Sequence, residues 1–149
     1  MTTRRVVFLD IDGVLAPIRR WDRYGDLEAP CIQVLNEIVA GAGADVVVSS
    51  TWRYGKTVAE LQAMLDAAGF TGSVIDKTPL GPPGADRGDE IAIWLGGHAV
   101  VGYVIVDDHP NMGALRDRLL LTDPGRGLQR ADAARAIEIL MRPRDGGQE

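Results

Sequence analysis

Val6-Val-Phe-Leu-Asp-Ile-Asp-Gly-Val-Leu15 is the stretch on which the fold class turns. Four apolar residues run into one aspartate, and a second aspartate follows two residues later. A continuous apolar run this short suits a strand of a parallel sheet covered on both faces. The design recurs along the chain. Residues 46–48 are apolar and end at Ser49 and Ser50, Val74 and Ile75 make a weaker run, residues 100–106 end at Asp107 and Asp108, and residues 119–121 give a fifth. Amphipathic stretches lie between them. Ile32, Leu35, Ile38 and Val39 repeat at helical spacing, with Gly41 as a stop signal. Thr57-Val-Ala-Glu60 is a capping-box pattern opening a helix with Val58, Leu61, Met64, Leu65 and Ala68. Ile91, Trp94 and Leu95 mark a third helix, ended by Gly96 and Gly97, and residues 133–141 read as a fourth. Strand alternating with helix predicts an α/β domain with a parallel sheet and right-handed crossovers.

The rest of the chain fits one such domain. Its 149 residues match a single core, and 46% hydrophobic with 25% charged residues excludes a wholly disordered chain. No internal repeat or linker interrupts it. The expected domain spans residues 1–141, with residues 142–149 as a disordered tail. No apolar run is long enough for a transmembrane helix, and Asp10 and Asp12 interrupt what might pass for a signal sequence. One cysteine, Cys31, cannot make an internal disulfide, which fits a cytoplasmic protein. A net charge of −5 argues against a generally basic nucleic-acid surface, leaving local basic patches open.

In an open α/β sheet, ligands bind beyond the carboxyl ends of the strands. Those ends hold Asp10 and Asp12, then Ser49 and Ser50, then Asp107 and Asp108. If the first and fourth strands are neighbours, the carboxylates converge. Two unit charges about 4 Å apart repel by roughly 4 kcal/mol at an effective dielectric of 20, so several cannot all stay ionised without a cation. An all-oxygen cluster suits Mg²⁺. The plain alternative is that these aspartates cap helices and turns. Carboxylates at two strand ends, with serines at a third, favour the metal site.

VVFLDIDGVL resembles the nucleophile motif of the haloacid dehalogenase-like (HAD) phosphohydrolases, and the family's other motifs follow in order. VVVSSTWR (46–53) matches the second, Arg87 in RGDEIAIWL (87–95) sits at the basic third, and YVIVDDHP (103–110) matches the acidic fourth. SSTWR, RGDEIAIWL and TDPGRGL (122–128) together resemble compact HAD domains, some of them in RNA-repair proteins. The DDHPN of residues 107–111 is also similar to the acidic motif of some deoxyribonucleotidases. The resemblance implies a Rossmann-like three-layer fold with a five-stranded parallel sheet in the order 5-4-1-2-3, helices on both faces and no large cap domain. It implies a Mg²⁺-dependent phosphohydrolase acting on phosphomonoesters. Asp10 would be the nucleophile that forms an aspartyl-phosphate, and Asp12 the acid and base. Asp10, the main-chain carbonyl of Asp12 and Asp108 would hold Mg²⁺, with Asp107 orienting Arg87 or exchanging roles with Asp108. Ser50, or Ser49 after a one-residue slip, would donate to the phosphate. The family's base is often lysine. Arg87 departs from that pattern, and Lys77 is the fallback.

About 30 residues separate the first two motifs and about 35 the next two, too few for an inserted cap. An open site favours bulky phosphorylated substrates: a nucleotide, a nucleic-acid end or a phosphoprotein, unless a partner subunit closes it. The flap after the first strand joins Arg19, Arg20 and Arg23 to Trp21 and Tyr24, residues that can grip phosphates and stack bases or simply pack on the domain. Trp52 and Arg53, after the serine pair, can also line the mouth; Trp52 is more often core packing, and Arg53 can be either. A non-catalytic phosphate- or nucleic-acid-binding module and a phosphotransferase to another acceptor are the competing readings, and the oligomeric state is open.

Overall fold

Strand β1 (Arg5–Leu9) is buried from Val6 onward and lies at the centre of the sheet, paired in parallel with β2 (Ala44–Val48) on one side and β4 (Gly102–Asp107) on the other. The computed structural model describes residues 4–20, 22 and 25–144. Strands β3 (Val74–Lys77) and β5 (Leu119–Leu121) complete an all-parallel sheet of order β3-β2-β1-β4-β5, the expected order read from the opposite edge. Leu9 stands level with both Val48 and Val106, so the chain leaves all three central strands at the same height.

The helices begin where the local chemistry allows. Helix α1 (Ala29–Ala42) has proline in its first turn and ends at Gly43 in the left-handed conformation, two residues beyond the Gly41 stop read from sequence. Helix α2 (Val58–Ala67) opens with the expected Thr57–Glu60 capping box. Helix α3 (Arg87–Gly96) opens with a second box, in which Asp86 and Asp89 each accept the other's main-chain N–H. Helix α4 is Asp132–Met141.

Alternation along the strands divides the core in two. Val7, Leu9, Val46, Val48, Val104 and Val106 face α1, α2 and α4. Val6, Phe8, Val47, Tyr103 and Ile105 face α3, where Phe8 meets Trp94 and Tyr103 edge-on at 5.4 and 5.7 Å. Each fully buried Leu, Ile or Phe contributes roughly 1.5–3 kcal/mol. The chain travels from β1 out to β3 with its helices on one face, then returns past β1 to β4 with α3 on the other. Right-handed crossovers require this change of face when the direction reverses. The reversal opens a crevice at the carboxyl end of β1.

The tail needs correction. Arg118 donates to the carbonyls of Ile139 and Arg142, both at 3.0 Å, and to that of Pro143. Arg144 N–H donates to Val101 O at 2.9 Å, and its guanidinium reaches the carbonyls of Leu95 and His98. Residues 142–144 are therefore hydrogen-bonded to the domain, and residues 145–149 lie outside the described part. Among the described residues no helix is long and apolar enough to cross a membrane.

Candidate active site

Asp10 is the first residue past β1, with its N–H bonded to Val106 O at 3.0 Å. Ser49 occupies the same height past β2, its N–H bonded to Leu9 O, and Asp107 ends β4. The sheet register therefore brings the three polar strand ends together. Carboxylate oxygens of Asp10, Asp107 and Asp108 all lie within 4.8 Å of one another. Arg87, presented by the first turn of α3, donates to Asp107 Oδ2 at 2.7 Å and lies 3.2 Å from Asp10 Oδ1. Asp107 is fully buried and its other oxygen accepts the His109 N–H at 3.0 Å.

One guanidinium does not balance three carboxylates. Burial first, then Asp107, push the Asp10 carboxyl from 3.8 up to about 8, against the pull of Arg87 and the Ile11 N–H. Burial also pushes Asp108 up. Burial works against the Arg87 cation, but Asp10 and Asp107 outweigh it and raise its pKa. An all-oxygen set with surplus negative charge fits a hard divalent cation. The Asp12 carboxylate stands apart from this group, its Oδ2 accepting the Trp52 indole N–H at 3.0 Å.

The Asp10 shift sets a pH dependence. Between about pH 4 and pH 8 the folded, metal-free protein holds a proton on Asp10 that the unfolded chain has released. The folded state binds more protons, so unfolding free energy falls as pH rises through that window. Melting in EDTA is expected to give a higher Tm at pH 5 than at pH 8 from this group, with a smaller difference in Asp10→Asn.

The turn after Asp12 is built for close approach. Gly13 has φ +79°, and a Cβ there would lie 2.2 Å from Asp108 Oδ2. Gly13→Ala adds left-handed strain of about 1–2 kcal/mol and pushes Asp108 aside. Calorimetric titration with Mg²⁺ is expected to show binding weakened about tenfold or more, the scale seen when groups that orient metal ligands are disturbed. The turn is braced from the far end of the chain: Thr122 Oγ1 donates to Gly13 O at 2.7 Å, Leu128 N–H to Val14 O at 2.8 Å and Ile18 N–H to Pro124 O at 2.7 Å.

The family model for the HAD domain in Swiss Army Knife RNA repair proteins matches residues 6–133. The chain belongs to this HAD family. No curated protein and no solved structure matches the chain.

Within this HAD domain several sequence-predicted residues fall elsewhere than expected. Arg53 is not a free substrate contact, although it borders the cleft. Its side chain is 3% exposed, and its guanidinium donates to Thr78 O (2.8 Å), Ser49 O and Ser50 O (both 3.0 Å), Pro79 O (3.4 Å) and Glu90 Oε1 (2.8 Å). All five N–H donors are used, four on the carbonyls of the strand-end loops and one on Glu90 of α3. Arg19 pairs with Glu28 and Arg20 with Asp22, both on exposed surface, and neither lines the cleft. Trp21, with Arg23 and Tyr24, lies outside the described residues. Lys77 donates to the carbonyls of Arg53 and Lys56, which leaves Arg87 as the base beside Asp10. Ser50 Oγ accepts the Trp52 N–H at 3.1 Å and caps the 3-10 turn Thr51–Arg53. The Ser49 hydroxyl, next to Asp10 in register, is buried and has no hydrogen-bond partner among the described residues. Cys31 is buried, and burial pushes its thiol up, away from thiolate chemistry.

The cleft over the site has a volume of about 450 Å³, and its lining includes Asp10, Asp12, Arg87, Asp108, His109 and Tyr54. The sequence did not disclose two contacts beside the site, those of Trp52 with Asp12 and of Thr122 with Gly13. Each is one hydrogen bond to a residue at least 40 positions away, for which sequence carries no periodic signal.

Proposed function

We propose that the domain is a Mg²⁺-dependent phosphohydrolase that cleaves phosphomonoesters through an aspartyl-phosphate on Asp10. The observation that carries the reading is the clustering of Asp10 with Asp107 and Asp108 around Arg87, which reaches both Asp10 and Asp107, with Asp12 held two residues on. An Asp10 oxygen attacks phosphorus, the bond from phosphorus to the leaving oxygen breaks, and that oxygen takes a proton from Asp12. Water then attacks phosphorus, gives its proton to Asp12, and releases Asp10 and inorganic phosphate. Arg87 faces the charge on the transferring group and is oriented by Asp107. Ser49, with its unused hydroxyl, donates to a phosphate oxygen, and Ser50 lies beside it. Asp10, Asp108 and the main-chain carbonyl of Asp12 would hold Mg²⁺, with Asp107 adjoining, and the ion would neutralise phosphoryl charge and keep Asp10 ionised.

The open cleft and the absence of an inserted cap among the described residues support bulky substrates: nucleotides, nucleic-acid ends or phosphoproteins. The unpaired Cys31 supports a cytoplasmic setting. The test is phosphate release from nucleoside 5′- and 3′-monophosphates, 3′-phosphorylated oligonucleotides, sugar phosphates and a phosphopeptide, with and without Mg²⁺. Metal-dependent release is expected. Silence across the panel, with phosphate still bound, would move the protein to a binding module. Phosphorylated alcohol formed in the presence of a competing acceptor would make it a phosphotransferase.

A further inference from the structure

Trp52 stands in the second motif, where its ring reads as packing, yet its polar atom points at the acid–base residue. The indole Nε1–H donates to Asp12 Oδ2 at 3.0 Å. The other oxygen, Asp12 Oδ1, is buried and has no hydrogen-bond partner among the described residues. A buried carboxylate oxygen left unpaired is costly, so the one bond that holds the group fixes its orientation. The donor is rigid. Trp52 N–H is fixed to Ser50 Oγ at 3.1 Å, the ring packs on the apolar cluster beneath β2, and Arg53 ties down the carbonyls of Ser49 and Ser50 before it.

Indole nitrogen is a donor only, so the oxygen it holds acts as acceptor. An unrestrained aspartate has a broad, two-fold χ2, so its carboxylate is free to rotate. We infer that Trp52 is a positioning residue that fixes the Asp12 carboxylate through Oδ2 for proton exchange with the leaving oxygen and then with water. The inference rests on the phosphohydrolase reading. Misplacement by about 1 Å can cost about a hundredfold in rate, which sets the expected scale.

Trp52→Phe keeps the ring and removes the donor. The readout is kcat/KM, which reports only the steps through leaving-group departure, for an alkyl and an aryl ester. An alkyl alkoxide needs its proton and p-nitrophenolate does not. Loss of about 10- to 100-fold on an alkyl phosphate, against less than about threefold on p-nitrophenyl phosphate, is expected. Asp12→Asn should show the same discrimination. Equal losses on both substrates would reduce Trp52 to a structural role, and no loss would remove it from the site. A second measurement does not need turnover. The Trp52 indole ¹⁵N–¹H resonance, identified by its disappearance in Trp52→Phe, should move in Asp12→Ala, and an unmoved resonance overturns the contact. If wild type releases no phosphate from any substrate, the phosphohydrolase reading and the positioning role fall together. If wild type is active and Asp10→Asn is not, but Trp52→Phe shows no leaving-group bias, the positioning role falls alone.

Discussion

Asp10→Asn is expected to lower kcat by about 10⁴-fold or more and to raise the melting temperature of the metal-free protein. The two effects have one origin. Asp10 is 4% exposed and faces Asp107 and Asp108 across less than 5 Å with a single shared guanidinium. Its carboxyl is pushed up to about 8, chiefly because burial opposes its charge. A neutral amide of the same shape relieves that repulsion. For a chain of this size each 1 kcal/mol gained moves Tm by roughly 2–4 °C. The amide cannot act as the nucleophile, and it weakens the cation site, so Mg²⁺ should stabilise the variant less than the wild type. Melting curves with EDTA and with Mg²⁺, beside phosphate release, separate the outcomes. Turnover like that of wild type would end the aspartyl-phosphate mechanism, and a lower metal-free Tm would mean that Asp10 is held by favourable bonds.

Arg53→Met should destabilise the fold by about 3–5 kcal/mol, because it removes one partner of a buried ion pair. Glu90, 13% exposed, would lose its cation, though it keeps the Gly81 N–H at 3.0 Å. The carbonyls of Ser49, Ser50 and Thr78 would lose the donor that ties the ends of β2 and β3 together. The corresponding fall in Tm is about 6–20 °C. Arg53→Lys should recover little, since an ammonium has three donors and no planar fork. Adding Glu90→Gln to Arg53→Met should recover part of the loss, because it removes the orphaned charge. Retained stability with a raised KM would instead return Arg53 to the role of substrate ligand.

These two neighbours, Trp52 and Arg53, show where the sequence is legible and where it is not. The strands were readable because continuous apolar runs have no other good use in a domain of this size, and their polar ends marked the crevice. Asp10, Arg87, Asp107 and Asp108 come from the first, third and fourth motifs, and the structure places their side chains together. Residues 51–53 form a single 3-10 turn, however, and such a turn has no repeating pattern to tell which side chain faces the substrate. By sequence both residues can border the mouth, and Trp52 can also pack in the core. In the structure Arg53 borders the cleft with its guanidinium used on strand-end carbonyls and Glu90, and Trp52 packs against the core while its indole N–H meets Asp12. Glu90 is similar. Its place in the first turn of α3 suits the helix dipole, but its work is to hold Arg53 and the Gly81 N–H. Residues 142–144 look like exposed polar residues in the sequence, and the carbonyls they offer and seek cannot be seen in composition.

The central position of β1 also governs how the protein is made. β1 carries the nucleophile and needs neighbours on both sides, yet β4 begins 97 residues after it. At roughly 5–20 residues per second, the ribosome needs about 5–20 s to deliver that second neighbour. Until then one edge of Val6-Val-Phe-Leu9 offers unpaired backbone groups beside an apolar surface, the kind of edge that recruits other chains. The nascent protein is therefore most open to aggregation and chaperone capture during synthesis of residues 49 to 107, and Asp10 gains its chemical surroundings only when that interval closes.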